Sequence, residues 1–160
     1  MHQTFDLGQF LPYLLNQAAE ATSTAFQDSY RDHGLNRAEW RVMANLGAHQ
    51  TLTAAEICRI TFTDKTKVSR AVQALEDAGR LRRSPAEDDR RREKLTLTEA
   101  GRILCRQIER RALDFDASLR ANLGAEDAEA LVQVLRRLVA LGQGKSTPVM
   151  PPPSGRHPKR

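Results

Sequence analysis

Between residues 65 and 75, Lys65, Thr66, Lys67, Ser69, Arg70 and Gln73 alternate with Val68, Ala71, Val72 and Leu75. Wound as a helix, the aliphatic residues recur at steps of three and four and share one face, which leaves the polar ones on the other. Ammonium, guanidinium, hydroxyl and carboxamide groups in such a row can hydrogen-bond to phosphate oxygens and base edges. A second cluster follows, with Arg90, Arg91 and Arg92 behind Asp88 and Asp89. There a carboxylate can orient one guanidinium, Arg91, by a charge-assisted hydrogen bond while the others meet phosphate. Bond-making chemistry has no comparable signature. No glycine-rich phosphate loop is present, and His2, His33, His49 and His157 form no i, i+4 ligand pair. Cys58 and Cys105 form no CxxC motif. The expectation is a chain that is not an enzyme and needs neither metal nor cofactor.

The elements around these residues can be read from spacing and punctuation. Thr53 followed by Glu56 is a capping-box signature, opening a short helix through Ile57 and Ile60. A turn over 61–65 leads into the second helix, which ends at Ala78 and Gly79, where glycine takes the left-handed closing position. Leu81 to Ser84 forms one strand, Pro85 to Arg92 a polar tip, and Lys94 to Thr98 a second strand in which Leu95 and Leu97 alternate with polar residues. Thr51 and Leu52 add a short third strand. This is a helix-turn-helix with a β-hairpin wing, and its second helix has the outer face of one that enters a major groove. Thr53 and Arg83 flank that face and join the candidate contact set.

This block resembles the winged helix of the multiple-antibiotic-resistance regulator (MarR) family. The matching stretches are Asp64 to Arg70, Leu75 to Gly79, Asp89 to Arg91 and Leu97 to Gly101, in the family's order and spacing. Asp89 and Arg91 fall on an Asp-x-Arg signature of the wing, and the resemblance extends over most of residues 7–141.

Charge is distributed in a way that fits. The net charge is +5; residues 1–62 carry −2, residues 63–94 carry +3, residues 95–141 are neutral and residues 142–160 carry +4. The excess lies in the proposed recognition helix, wing and tail, the footprint of phosphate binding. No apolar run approaches the roughly 20 residues that span a bilayer, and the start lacks a signal pattern, so a cytoplasmic protein is expected.

The flanks should be helical. A first helix from about Pro12 to Asp32 sets Phe10, Leu14, Ala18, Ala21 and Ala25 on one face. Asn36 caps the next, Arg37 to Ala48, which turns Trp40, Met43, Ala44 and Leu46 inward. Thr98 and Glu99 begin a long helix with a stripe of Leu104, Ile108, Ala112, Phe115, Leu119 and Leu123. Gly124 breaks it, and a last helix from about Glu126 to Leu141 sets Ala128, Leu131, Leu135 and Leu138 at helical spacing. The fold class is therefore mainly α with a small β wing. Residues 35–98 form the DNA-binding part, 7–34 with 99–141 a helical dimerisation region, and 142–160, with five of the seven prolines, a disordered basic tail.

The resemblance implies a homodimeric transcriptional regulator, a repressor by the family's habit, on a pseudo-palindromic operator of double-stranded DNA. It also implies a small aromatic carboxylate or phenol as effector. Tyr13 and Trp40 could supply ring faces for it, and His33 or Arg41 a polar partner. The plainer reading makes Trp40 core, Arg41 a solvated residue and His33 a helix end. Two alternatives stand beside this: a thiol-responsive regulator using Cys58 or Cys105, and a winged helix that docks protein instead of DNA.

Overall fold

Capping side chains settle where the central helices begin. The computed structural model of the chain describes residues 5–85 and 93–145. Helix α1 (Leu11–Phe26) and the short α2 (Asp28–Arg31) precede α3 (Arg37–His49), whose N-cap is Asn36. The Asn36 side chain accepts from the Ala38 and Glu39 N–H groups at 2.9 and 3.0 Å, and Glu39 accepts in return from the Asn36 N–H at 2.9 Å. This capping box satisfies donors that a helix start leaves orphaned. Helix α4 (Ala54–Thr61) opens the same way, on Thr53 and Glu56. Helix α5 (Lys65–Asp77) is capped by Asp64, which accepts from the Lys67 N–H at 2.9 Å. It closes at Gly79, whose φ of 66° lets Arg80 N–H reach the Leu75 carbonyl at 2.8 Å and Gly79 N–H reach that of Glu76 at 2.9 Å.

Strands β1 (Thr51–Leu52), β2 (Leu81–Pro85) and β3 (Glu93–Leu97) form one antiparallel sheet in the order β1-β3-β2. The register sets Leu81 opposite Leu97 and Leu52 opposite Leu95, and all four leucines are buried. Pro85, expected in the tip, instead ends β2 opposite Glu93. β2 is an edge strand of this sheet, where a missing N–H is tolerated.

Two compact units divide the chain, one reaching Phe115 and one starting at Asp116. In the first, Met43, Leu46, Ile57, Val68, Val72, Leu75, Leu95 and Ile108 are almost fully buried, so α3, α4, α5, the sheet and the start of α6 (Glu99–Leu123) share one core. Phe26 sits 5.3 Å from Phe115 and 6.0 Å from both Tyr30 and Trp40, an aromatic cluster attached to that core. Arg37 grips Glu20 with two hydrogen bonds of 2.8 Å, tying α3 to α1. The single helix expected to Asp32 is interrupted at Gln27, whose N–H bonds three residues back to Thr24 at 3.2 Å. That tighter turn lets Tyr30 bury itself while the face of α1 carrying Phe10, Leu11, Tyr13 and Leu14 stays exposed.

The second unit holds the end of α6, Gly124 at φ 86°, and α7 (Ala125–Ala140). A π-type turn over Leu141–Lys145 carries the winding past Gly142, where the tail was expected to begin. Along α7, Leu131, Val134, Leu135 and Val139 remain 39–47% exposed. Among the described residues no helix is long and apolar enough to cross a membrane.

Candidate nucleic-acid interface

Burial divides α5 as its sequence pattern predicts. Val68, Ala71, Val72 and Leu75 face the core, while Lys65, Thr66, Lys67, Ser69, Arg70 and Gln73 are all exposed. The outer row is therefore backed by a buried apolar face, packed on α3 and α4.

Several of these polar groups already have partners. Asp64 holds the Lys67 ammonium at 3.4 Å. The Lys67 N–H, and then its side chain, keep the Asp64 carboxyl below the usual carboxylate range. Thr53 is spent on its own helix: its hydroxyl donates to Glu56 at 2.8 Å and accepts from the Glu56 N–H at 3.2 Å. It positions α4 and offers little to a phosphate. Arg83 differs most from the expectation of a free contact. Its guanidinium donates to Glu76 at 2.8 Å, Glu93 at 3.0 Å and Gln73 at 3.2 Å, which straps the wing strands to the recognition helix. Nothing in the local sequence marked this bridge, since its members lie on three separate elements. Asp88, Asp89, Arg90, Arg91 and Arg92 fall outside the described residues.

The four residues considered for an effector lie apart in character. Trp40 is half-buried in the aromatic cluster around Phe26. His33 is half-buried, and its carbonyl accepts from Arg80 at 3.0 Å. Arg41 is exposed near Glu20, and Tyr13 lies on the exposed face of α1. Among the described residues no hydrogen bond or ring contact joins any two of the four. Phe26, which the helical spacing places only beside the apolar face of the first helix, is the residue around which three other rings gather.

Cys105 is buried, and its S–H lies 3.2 Å from a Glu109 carboxylate oxygen and 3.6 Å from the Met43 carbonyl. Burial first, and the Glu109 hydrogen bond second, push this thiol up from 9.0 to about 12. A thiol so protonated at neutral pH is a poor nucleophile, which weighs against a Cys105 switch. The folded state holds this proton more tightly than the unfolded chain, so the stabilisation is complete below about pH 9 and is lost as pH rises towards 12. The denaturation midpoint should therefore fall across that window, and Cys105→Ala should flatten the slope; an unchanged slope would show that Cys105 does not carry it. Cys58 is half-buried against the core, packed as a small hydrophobe is rather than as a surface thiol.

Comparison with known proteins agrees with this geometry. Residues 33–92 match the model of the MarR family. The HTH-type transcriptional regulator PapX of Escherichia coli is 25% identical over 137 residues, covering 82% of this chain and 84% of PapX. The crystal structure of a MarR family transcriptional regulator from Silicibacter pomeroyi DSS-3 superposes with a TM-score of 0.75 at 28% identity, over 87% of this chain and 98% of that one. NadR, solved in complex with 4-hydroxyphenylacetate, superposes with a TM-score of 0.71 at 25% identity, over 86% and 94% of the two chains.

Proposed function

We propose that the chain, whose winged-helix segment matches the MarR family model, is a DNA-binding transcriptional regulator, acting in the cytoplasm as a homodimeric repressor released from its operator by a small aromatic acid or phenol. The observation that carries DNA recognition is the exposed row of α5, set on a fully buried apolar face. Each copy places α5 in a major groove, and the wing tip brings Arg90, Arg91 and Arg92 to phosphate or the adjacent minor groove. Two copies bind a pseudo-palindrome with half-sites about one helical turn apart. The dimerisation region is assigned to residues 7–34 and 99–141, because the exposed apolar faces of α1 and α7 need cover. A protein-docking winged helix would have no use for the Lys, Ser and Arg row of α5.

A mobility-shift titration with DNA flanking the chain's own coding region tests this reading, with binding expected and weakened by salt. Arg70→Ala should weaken operator binding by about 1–3 kcal/mol and relax preference at one base pair. Unchanged affinity and selectivity would remove Arg70 from the site.

The effector reading is supported by NadR's ligand and by the rings of Tyr13 and Trp40, with His33 or Arg41 as the partner for a carboxylate. To release DNA the compound must bind the DNA-free conformation more tightly, since equal affinity shifts nothing. Salicylate-, hydroxybenzoate- and nicotinate-like acids titrated into the protein–operator complex should dissociate it and change Trp40 fluorescence. Failure of all three on both readouts would discard this class of inducer.

A further inference from the structure

Gln73 is held at both ends of its carboxamide. Its oxygen accepts from Arg83 at 3.2 Å, and its NH2 group donates to Asp77 at 2.8 Å. A guanidinium can only donate and an ionised carboxylate can only accept. Turning the amide over would set its NH2 against the guanidinium and its oxygen against the carboxylate, exchanging two attractions for two repulsions. The orientation of this side chain is therefore fixed by chemistry. Arg83 is itself anchored, with Glu76 at 2.8 Å and Glu93 at 3.0 Å.

The pinned amide keeps part of its capacity. A carbonyl oxygen has two lone pairs and an NH2 has two hydrogens, so one acceptor and one donor site remain. In the major groove adenine presents one acceptor, N7, beside one donor, N6–H2, and a carboxamide reads that pair with one donor and one acceptor. Guanine presents two acceptors there and does not match. Gln73 lies one turn beyond Ser69 and Arg70 on the exposed row, at the end nearest the wing. A second observation singles out Asp77. The last turn of α5 carries Glu76 and Asp77 and no basic residue, against the preference of a helix C-terminus for cations. Helix stability does not account for an aspartate there; holding Gln73 does.

We infer that Asp77 and Arg83 are positioning residues that fix the Gln73 carboxamide for adenine, so that one A·T pair in each half-site is read through this relay. The inference rests on the reading of α5 as the recognition helix. It replaces a phosphate contact by Arg83 with a specificity role exerted through Gln73, and it makes wing and recognition helix one rigid reading head.

Selection of bound sequences from a randomised duplex pool, using the full chain, tests it. The wild type should select A·T at one position of each half-site, and Gln73→Ala should lose that preference by roughly tenfold or more. Asp77→Asn replaces an obligate acceptor with a group that can also donate, so the amide can turn over. It should relax the same position while the other positions keep their preferences and the melting temperature holds or rises. Arg83→Lys, still a donor only, should retain more of the preference than Arg83→Met. If Arg83→Met fails to fold, the exposed Asp77 decides alone. The inference is overturned if the wild type selects its site and Asp77→Asn changes no position, or weakens all equally. A wild type that selects no sequence would instead overturn the reading of α5 as a DNA reader.

Discussion

Gly101→Ala should unfold at clearly lower denaturant than the wild type, although alanine is the better helix former. Gly101 lies in the first turn of α6, buried against the end of β2's leading loop. A Cβ built there collides with the Arg80 carbonyl oxygen and comes within 2.9 Å of its carbon. The obstacle is backbone and cannot rotate away. It is also fastened: Thr98 N–H donates to the Arg80 carbonyl at 3.1 Å, and the Thr98 hydroxyl to that of Gly79 at 2.7 Å. Helix propensity alone would favour alanine by about 1 kcal/mol. Overpacking with backbone displacement costs typically 1–3 kcal/mol and sometimes more. Because the obstacle is fixed backbone, the steric effect should win, with a net loss of up to about 2 kcal/mol. Urea denaturation checks this through a lower midpoint at unchanged slope; a stabilised Gly101→Ala would show that α6 and the Arg80 turn move apart easily.

That collision shows what sequence could and could not reveal. Val68, Val72 and Leu75 declare α5 through spacing, because burial on one face imposes the helical period. Asn36, Thr53 and Gly79 mark helix ends because capping is local chemistry, readable within a few residues. The Asp64 cap was legible by the same rule and went unassigned. What sequence hid depends on register between elements. Arg83 meets Glu76 and Gln73 only because β2 folds back along α5, so a basic residue expected on phosphate turns inward. Phe26 gathers Tyr30, Trp40 and Phe115 across the chain, and no periodicity predicts that meeting. The turn at Gln27 is equally silent, since its residues are ordinary helix formers and tertiary burial of Tyr30 decides the geometry.

Leu135→Asp should break the proposed dimer. Leu131, Val134, Leu135 and Val139 form an exposed apolar face on α7, and water-facing leucines at that density need a partner surface. Removing a buried leucine forfeits about 1.5–3 kcal/mol, and placing a carboxylate there adds an uncompensated desolvation cost. An isologous interface meets the change twice, so the dissociation constant of the dimer should rise by at least about a hundredfold. Operator affinity should fall with it, because two linked half-site contacts gain roughly 10²–10⁴ over one. Sedimentation velocity at micromolar concentration should find Leu135→Asp monomeric, while a chain lacking residues 142–160 stays dimeric. A Leu135→Asp dimer of wild-type stability would place the interface elsewhere.

The central claim, that two recognition helices of one dimer read two half-sites on the same side of a duplex, is tested most directly by changing the half-site spacing. About five base pairs inserted between the halves of a selected operator turn one half to the opposite side of the helix, since a turn is about 10 base pairs. The account predicts that affinity for this duplex drops to that of a single half-site, with contacts on one half only. Full affinity and an unaltered footprint on the lengthened duplex would contradict it.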